Sequence, residues 1–305
     1  VLALFMVAAG WLWVSSMFGR PGPHTHDSIV IITAGSGHAA VRQDLQRVGV
    51  LHQMYHYDAA RMLTGDDFVP KAGEYLLPAG ASLRQIMHIL HKGKSLQRRL
   101  TIVEGQTSAN IITALNAMPD LTGTVHFVVD EGSLYPDTYF YLKGDSFASI
   151  LLKSQETWKI LSQKLWNERD TNLPYNNLKE AITLASIIEK EGVEKNKIAG
   201  VFVNRLRMDM RLQSDPTVIY ALGLKFDGDL RKNDLQIDSP YNTYRNKGLP
   251  PGPISIVSED SLKAALKPLQ TDYLYFVSMG NGFHKFSKTL SEHNEAVLKY
   301  QINGR

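Results

Sequence analysis

Apolar and polar positions divide the chain into segments of distinct texture. Residues 1–19, VLALFMVAAGWLWVSSMFG, carry no charge, and at about 1.5 Å per residue such a helix spans roughly the 30 Å hydrocarbon core of a bilayer. A membrane span over residues 1–19 is the leading expectation. The alternatives are a signal peptide, with a shorter apolar region and a small-residue cleavage site, or a helix buried on all sides. Pro21 and Pro23 follow in a polar stretch, which predicts a stiff linker over residues 20–27 leading away from the bilayer. His24 and His26 lack a third ligand at metal spacing and read as linker residues.

Between residues 28 and 118 one spacing recurs: a short β-type run, a glycine, then apolar residues six and ten positions beyond it. The copies are Ser28 to Ile32 with Gly35, Val41 and Leu45; Tyr75 to Leu77 with Gly80, Ile86 and Leu90; and Leu100 to Val103 with Gly105, Ile111 and Leu115. The interval puts both apolar side chains on one helical face, and the glycine permits a sharp turn from strand into helix. Each copy is predicted to be a strand–turn–helix unit. Such units resemble glycan-binding LysM modules, and the same spacing also suits a repeated packing solution without a ligand.

Beyond residue 125 the texture changes. Phe127 to Val129 predicts a strand, and residues 131–139 (EGSLYPDTY) an aromatic-rich turn. Tyr135, Tyr139, Phe140 and Tyr141 are residue types that stack on sugar rings or form a core corner. Residues 147–166 read as a long amphipathic helix through Ile150, Leu151, Ser154, Trp158, Leu161 and Leu165.

The following helix carries both of its ends in the sequence: Asn177 with Glu180 three residues later starts it, and Gly192 stops it. Its apolar stripe runs through Leu178, Ala181, Ile182, Ala185 and Ile188, and the next position on that face is Glu191. Partial burial and the negative helix end both raise the pKa of a carboxyl so placed, which suits it to general acid work. Glu189 and Glu194 remain candidates on geometry alone. A second amphipathic helix through Ile198, Val201, Phe202 and Leu206 carries Asn204 and Arg205. After it, polar and aromatic residues crowd into short loops around residues 212–220 and 239–253.

Composition narrows the classes. A chain of 305 residues with 44% hydrophobic positions can bury two domains' worth of core. Its 33 basic and 30 acidic residues are interspersed, which argues against a nucleic-acid partner. Without cysteine it has no disulfide, thiolate metal site or cysteine nucleophile. No metal triad, Walker loop, GxSxG elbow or dinucleotide fingerprint is present, so neither a metal nor a cofactor is implied.

Several linked motifs then point one way: LASIIEKE (184–191), VFVNRL (201–206), MRLQSDPTVIY (210–220), YNTY (241–244) with GLPPG (248–252), and HKFSKTLSEHN (284–294). Together they resemble the endolytic murein transglycosylases, or YceG-like proteins, over nearly the whole chain. The resemblance implies an α+β fold in which an N-terminal transmembrane helix (1–19) and linker (20–27) precede a small LysM-like α/β domain (28–98) and a larger mixed α/β catalytic domain (99–305). It implies Glu191, the second glutamate of the IIEKE string, as acid/base. Cleavage would fall on the β-1,4 bond between N-acetylmuramic acid and N-acetylglucosamine, leaving 1,6-anhydro ends, with the catalytic domain in the periplasm of the bacterial inner membrane.

Peptidoglycan glycan strands are the expected substrate, and cell-wall synthases are candidate partners. A single carboxyl suffices if the sugar's own 6-hydroxyl is the attacker. Gln213, Asp215, Thr217, Asn242 and Tyr244 are the residues expected to hold the sugar, with a helix cap as the alternative for Asp215 and a core position for Tyr244. His284 and His293 are expected to be structural. The competing function is a non-catalytic peptidoglycan-binding scaffold for a synthase.

Overall fold

The computed structural model describes residues 16–33, 35–64, 68–123, 128–280 and 282–302. The expected membrane span falls almost wholly outside them; among the described residues no helix is long and apolar enough to cross a membrane. The chain forms two compact units. One runs to Arg99 and includes Phe140–Asp145; the other comprises Leu100–Tyr139 and the chain from Ser146 onward. Helices alternating with two-stranded sheets make the fold α+β.

In the first unit, β1 (Ser28–Ile32), α1 (His38–Arg47), α2 (Met54–Thr64), β2 (Gly73–Leu77) and α3 (Leu83–Lys92) follow in order. The two strands pair antiparallel, Val30 opposite Tyr75 and Ile29 opposite Leu76. Alternation sends Val30, Ile32, Tyr75 and Leu77 into the core and leaves Ile29, Ile31 and Leu76 exposed. Arg98 holds the buried Glu74 carboxylate through two hydrogen bonds.

The repeat is visible in three dimensions. Gly35, Gly80 and Gly105 all have positive φ, of 80°, 66° and 75°. Each lies two residues before the N-cap of a helix: Gly37 for α1, Ser82 for α3 and Thr107 for α4 (Ser108–Asn116). The predicted apolar pairs Val41 and Leu45, Ile86 and Leu90, Ile111 and Leu115 are all buried. The polar stretch after residue 19 is hydrogen-bonded to the loop before α3. Gly22 N–H donates to Gly80 O at 3.1 Å and His24 O accepts from Gly80 N–H at 2.8 Å. The His24 ring meets Pro78 O at 2.7 Å, so backbone pairing draws the segment against the unit.

The second unit contains α4, α5 (Phe147–Asn167), α6 (Leu178–Glu191), α7 (Lys195–Arg207), α8 (Asp215–Leu222), α9 (Glu259–Leu266), the antiparallel hairpin of β5 (Tyr275–Ser278) and β6 (His284–Ser287), and α10 (Leu290–Val297). A further pair, β3 (Arg98–Thr101) with β4 (Thr138–Tyr141), contains the positions at which the chain divides. Phe127 lies outside the described residues, and Val128 and Val129 are not in a strand. Tyr139 and Tyr141 are buried core residues of β4, while Phe140 between them is exposed.

Helix α6 is the centre of this unit. It starts where its cap predicts, Glu180 N–H donating to Asn177 Oδ1 at 2.9 Å. Its burial goes beyond one stripe: every residue from Thr183 to Ile188 is buried. Helices α5, α7, α8 and α9 pack around it, and small Ala181, Ala185 and Ser186 let their backbones come close. Burying Leu184, Ile187 and Ile188 contributes roughly 1.5–3 kcal/mol each. Ser186 is paired within this core: its Oγ donates to Thr183 O at 2.7 Å and accepts from Ile254 N–H at 2.9 Å.

Candidate active site

Glu191 ends the central helix. The residue keeps some exposed surface, but its carboxyl is densely surrounded by protein atoms. Loss of water around it raises its pKa from an ordinary 4.5 to about 7; the Ser214 hydroxyl opposes that rise, the Asp215 carboxylate adds to it and the Arg205 guanidinium opposes it. The Ser214 hydroxyl donates directly to Glu191 Oε1. A carboxyl poised near 7 can give a proton and take one back.

The two rival glutamates are committed elsewhere. Burial alone would raise Glu189, but the Lys195 ammonium at 2.8 Å, the Ser258 hydroxyl and the Ser258 N–H at 2.9 Å hold it below the usual carboxylate range. Glu194 is likewise held low against its partial burial by Lys197 at 2.8 Å and by the His284 N–H at 2.7 Å. Both are anchors for the chain around the turn that follows α6.

That turn needs Gly192. Its φ is 154°, and a Cβ there would lie 2.7 Å from His284 Cε1. The C-terminal motif therefore backs the site: His284 packs against the residue after Glu191 and meets Phe276 edge-on at 5.3 Å. His293 stacks on Tyr275 at 5.3 Å, and burial, then Arg205, pushes its ring below the usual histidine value. Arg205 itself is buried and tied to backbone, Nε to Leu274 O at 2.6 Å and Nη1 to Leu212 O at 2.8 Å.

The loop expected over residues 212–220 is largely helix, because Pro216 in the first turn and the apolar run after it start α8. The five predicted sugar-holding residues separate into two groups. Gln213 and Asp215 are exposed and Tyr244 is half-buried; the Tyr244 hydroxyl donates to Asp215 Oδ1. Burial, and then that bond, raises Tyr244 so that it stays protonated. Thr217 and Asn242 are fully buried and hold loops. Thr217 Oγ1 donates to Ser214 O at 2.7 Å, and Asn242 Nδ2 donates to Leu235 O and Ile237 O at 3.0 and 2.8 Å. Their polar atoms are engaged by protein partners.

One residue was missed, and a second gains partners that the sequence did not show. Ser214 resembles an ordinary helix cap in the sequence, which hides its bond to Glu191. Glu131 lies in the aromatic-rich turn, where Ser108 N–H donates to it at 2.8 Å and the Ser108 hydroxyl at 3.1 Å; burial outweighs these bonds and raises its pKa. Glu131 lines two clefts. One of about 620 Å³ is walled by Trp158, Ile182, Tyr241 and Pro253, the other of about 410 Å³ by Lys190, Pro216 and Tyr220. The Tyr220 and Tyr241 rings lie 4.9 Å apart. Glu191 lines neither, but Lys190 next to it and Pro216, two residues beyond Ser214, line the second. Among the described residues no group of three or more His, Asp or Glu could hold a metal ion.

An elevated carboxyl with a hydroxyl donor, a nearby carboxylate–tyrosine pair and neighbouring aromatic clefts make up the candidate site of a helical α+β unit. The chain belongs to the YceG-like family, whose pattern matches residues 30–299. It is 45% identical over 175 residues, 56% of its length, to a Bacillus subtilis protein named endolytic murein transglycosylase, of which the match covers 48%. It is 33% identical over 204 residues to a Streptococcus pneumoniae protein of the same name, covering 64% of this chain and 36% of that one. The chain thus spans about half or less of the length of these relatives. The crystal structure of a YceG-like protein from Listeria monocytogenes shares 32% identity and superposes with a TM-score of 0.56, covering 88% of this chain and 98% of that one.

Proposed function

We propose that this protein is an endolytic peptidoglycan lytic transglycosylase with Glu191 as its acid/base, trimming or terminating glycan strands. The observation that carries the reading is the Glu191 carboxyl, raised to about 7 by burial at the end of the central helix. The names of the relatives support the substrate class. Glu191 in its acid form protonates the oxygen bridging N-acetylmuramic acid and N-acetylglucosamine, and an oxocarbenium-like sugar develops. The resulting carboxylate takes the proton of the same sugar's 6-hydroxyl as that oxygen attacks the anomeric carbon, closing a 1,6-anhydro ring.

Asp215, beside Glu191 and held by the Tyr244 hydroxyl, stabilises the developing positive charge. Gln213 and the Tyr220–Tyr241 pair contact neighbouring sugars. In this reading residues 28–98 are a LysM-like module that holds the strand, the apolar start anchors the protein in the inner membrane, and the catalytic unit works in the periplasm alongside a synthase.

Digestion of purified sacculi in ¹⁸O-labelled water tests the chemistry. Wild type should yield fragment ends lacking one water and carrying no label, and Glu191→Gln should yield no fragments. Labelled reducing ends would make the protein a hydrolase with Asp215 or Glu131 as the second carboxylate. Binding of sacculi without any fragments would make it a scaffold.

A further inference from the structure

Building on the reading of Glu191 as the acid/base, we infer that Ser214 is its positioning residue: the serine hydroxyl holds Oε1 and so dedicates Oε2 to the proton that moves. Ser214 occupies the N-cap of α8, where a serine hydroxyl ordinarily accepts an N–H of the first turn. It makes no such bond and donates to Glu191 instead. Its backbone is clamped on both sides: the N–H donates to Thr243 Oγ1 at 3.0 Å, and the carbonyl accepts from Thr217 Oγ1 at 2.7 Å.

The residue before it, Gln213, has a φ of 51°, a left-handed conformation that a residue with a side chain adopts at a cost and that concentrates at functional sites. Arg205 holds the segment ahead through the carbonyls of Arg211 and Leu212. A serine withdrawn from capping, clamped on both sides and presented by a strained neighbour is an arrangement for placing one hydroxyl. The Ser214 hydroxyl takes Oε1 of the carboxyl, which leaves Oε2 for the proton.

The charged and titratable groups facing Glu191 are Asp215 from α8, Arg205 from α7 and Tyr244 from the loop before residue 248; His284 of β6 reaches only the adjacent Gly192. A donated hydroxyl favours the ionised carboxylate, so its removal should keep Glu191 protonated to higher pH. Since the protonated form is the acid, the alkaline limb of the activity profile should move upward.

The test compares the full chain as wild type, Ser214→Ala, Ser214→Cys, Ser214→Thr and Glu191→Gln in glycan-strand cleavage across pH, with NMR titration of the ¹³C-labelled Glu191 carboxyl. Ser214→Ala should lower kcat at its optimum and raise both the alkaline limb and the carboxyl titration by about one pH unit. Ser214→Cys, which keeps the volume but is a weak donor, should move both in the same direction, and Ser214→Thr should restore them. An unchanged limb and titration in the folded alanine or cysteine variant would overturn the inference. Wild type without cleavage, or Glu191→Gln as active as wild type, would instead overturn the proposed function, and the titration would still decide whether Ser214 governs Glu191.

Discussion

Replacing Glu191 by glutamine should abolish cleavage and at the same time stabilise the protein at alkaline pH. The carboxyl lies at about 7 against an ordinary 4.5, a gap of about 2.5 pH units. At about 1.4 kcal/mol per unit, ionising it in the folded protein costs about 3 kcal/mol more than in the unfolded chain. Below about pH 4.5 it is protonated in both states and costs nothing. Between about pH 4.5 and 7 the folded state keeps a proton that the unfolded chain has released, so stability falls as pH rises, and above 7 the loss is complete.

Glutamine is neutral throughout, and its amide oxygen can keep accepting the Ser214 hydroxyl. Urea unfolding followed by tryptophan fluorescence measures this, since Trp158 is buried in the same unit. Subtracting wild type from the variant cancels every group that titrates alike in both. The difference should grow from near zero at about pH 4.5 to about 3 kcal/mol in favour of glutamine above about pH 8. A difference flat with pH, or one that shifts toward wild type as pH rises, would refute burial as the source of the raised carboxyl.

Glu189→Gln should act in the opposite sense. Its depressed carboxylate contributes stability above its ordinary pKa that is lost as pH falls through the folded value, and removing it strands Lys195 and weakens the anchor on Ser258; a loss of roughly 3 kcal/mol at neutral pH is expected, read by thermal melts, with the alkaline limb of activity unmoved. Gln213→Gly should relieve the left-handed strain at a φ of 51° and raise stability by about 1 kcal/mol. If the Gln213 side chain holds a sugar, the same variant should raise KM while leaving kcat unchanged, and steady-state kinetics on glycan strands separates the two effects.

The features legible in the sequence are those set within a few residues. The glycine with apolar positions six and ten beyond it is a local device, because a positive φ and one helical turn are properties of neighbours; all three copies fold as that spacing dictates. The start of α6 at Asn177 and its end before Gly192 are equally local. So is the placement of Glu191 at the end of an apolar stripe, which marked it as a candidate before any packing was known. Tertiary structure decided which carboxyl is held low and which is raised: Glu189 is held as a carboxylate by Lys195 and by hydrogen bonds from Ser258, 69 positions away, while Glu191 receives a lone hydroxyl from Ser214, 23 positions away. Thr217 and Asn242 carry suitable groups for sugar, and folding engages those groups with protein partners. The all-round burial of α6 was hidden for the same reason. A sequence pattern records the face a helix prefers, whereas the number of neighbours that close around it, and which polar groups they bring, is settled only when distant segments pack together.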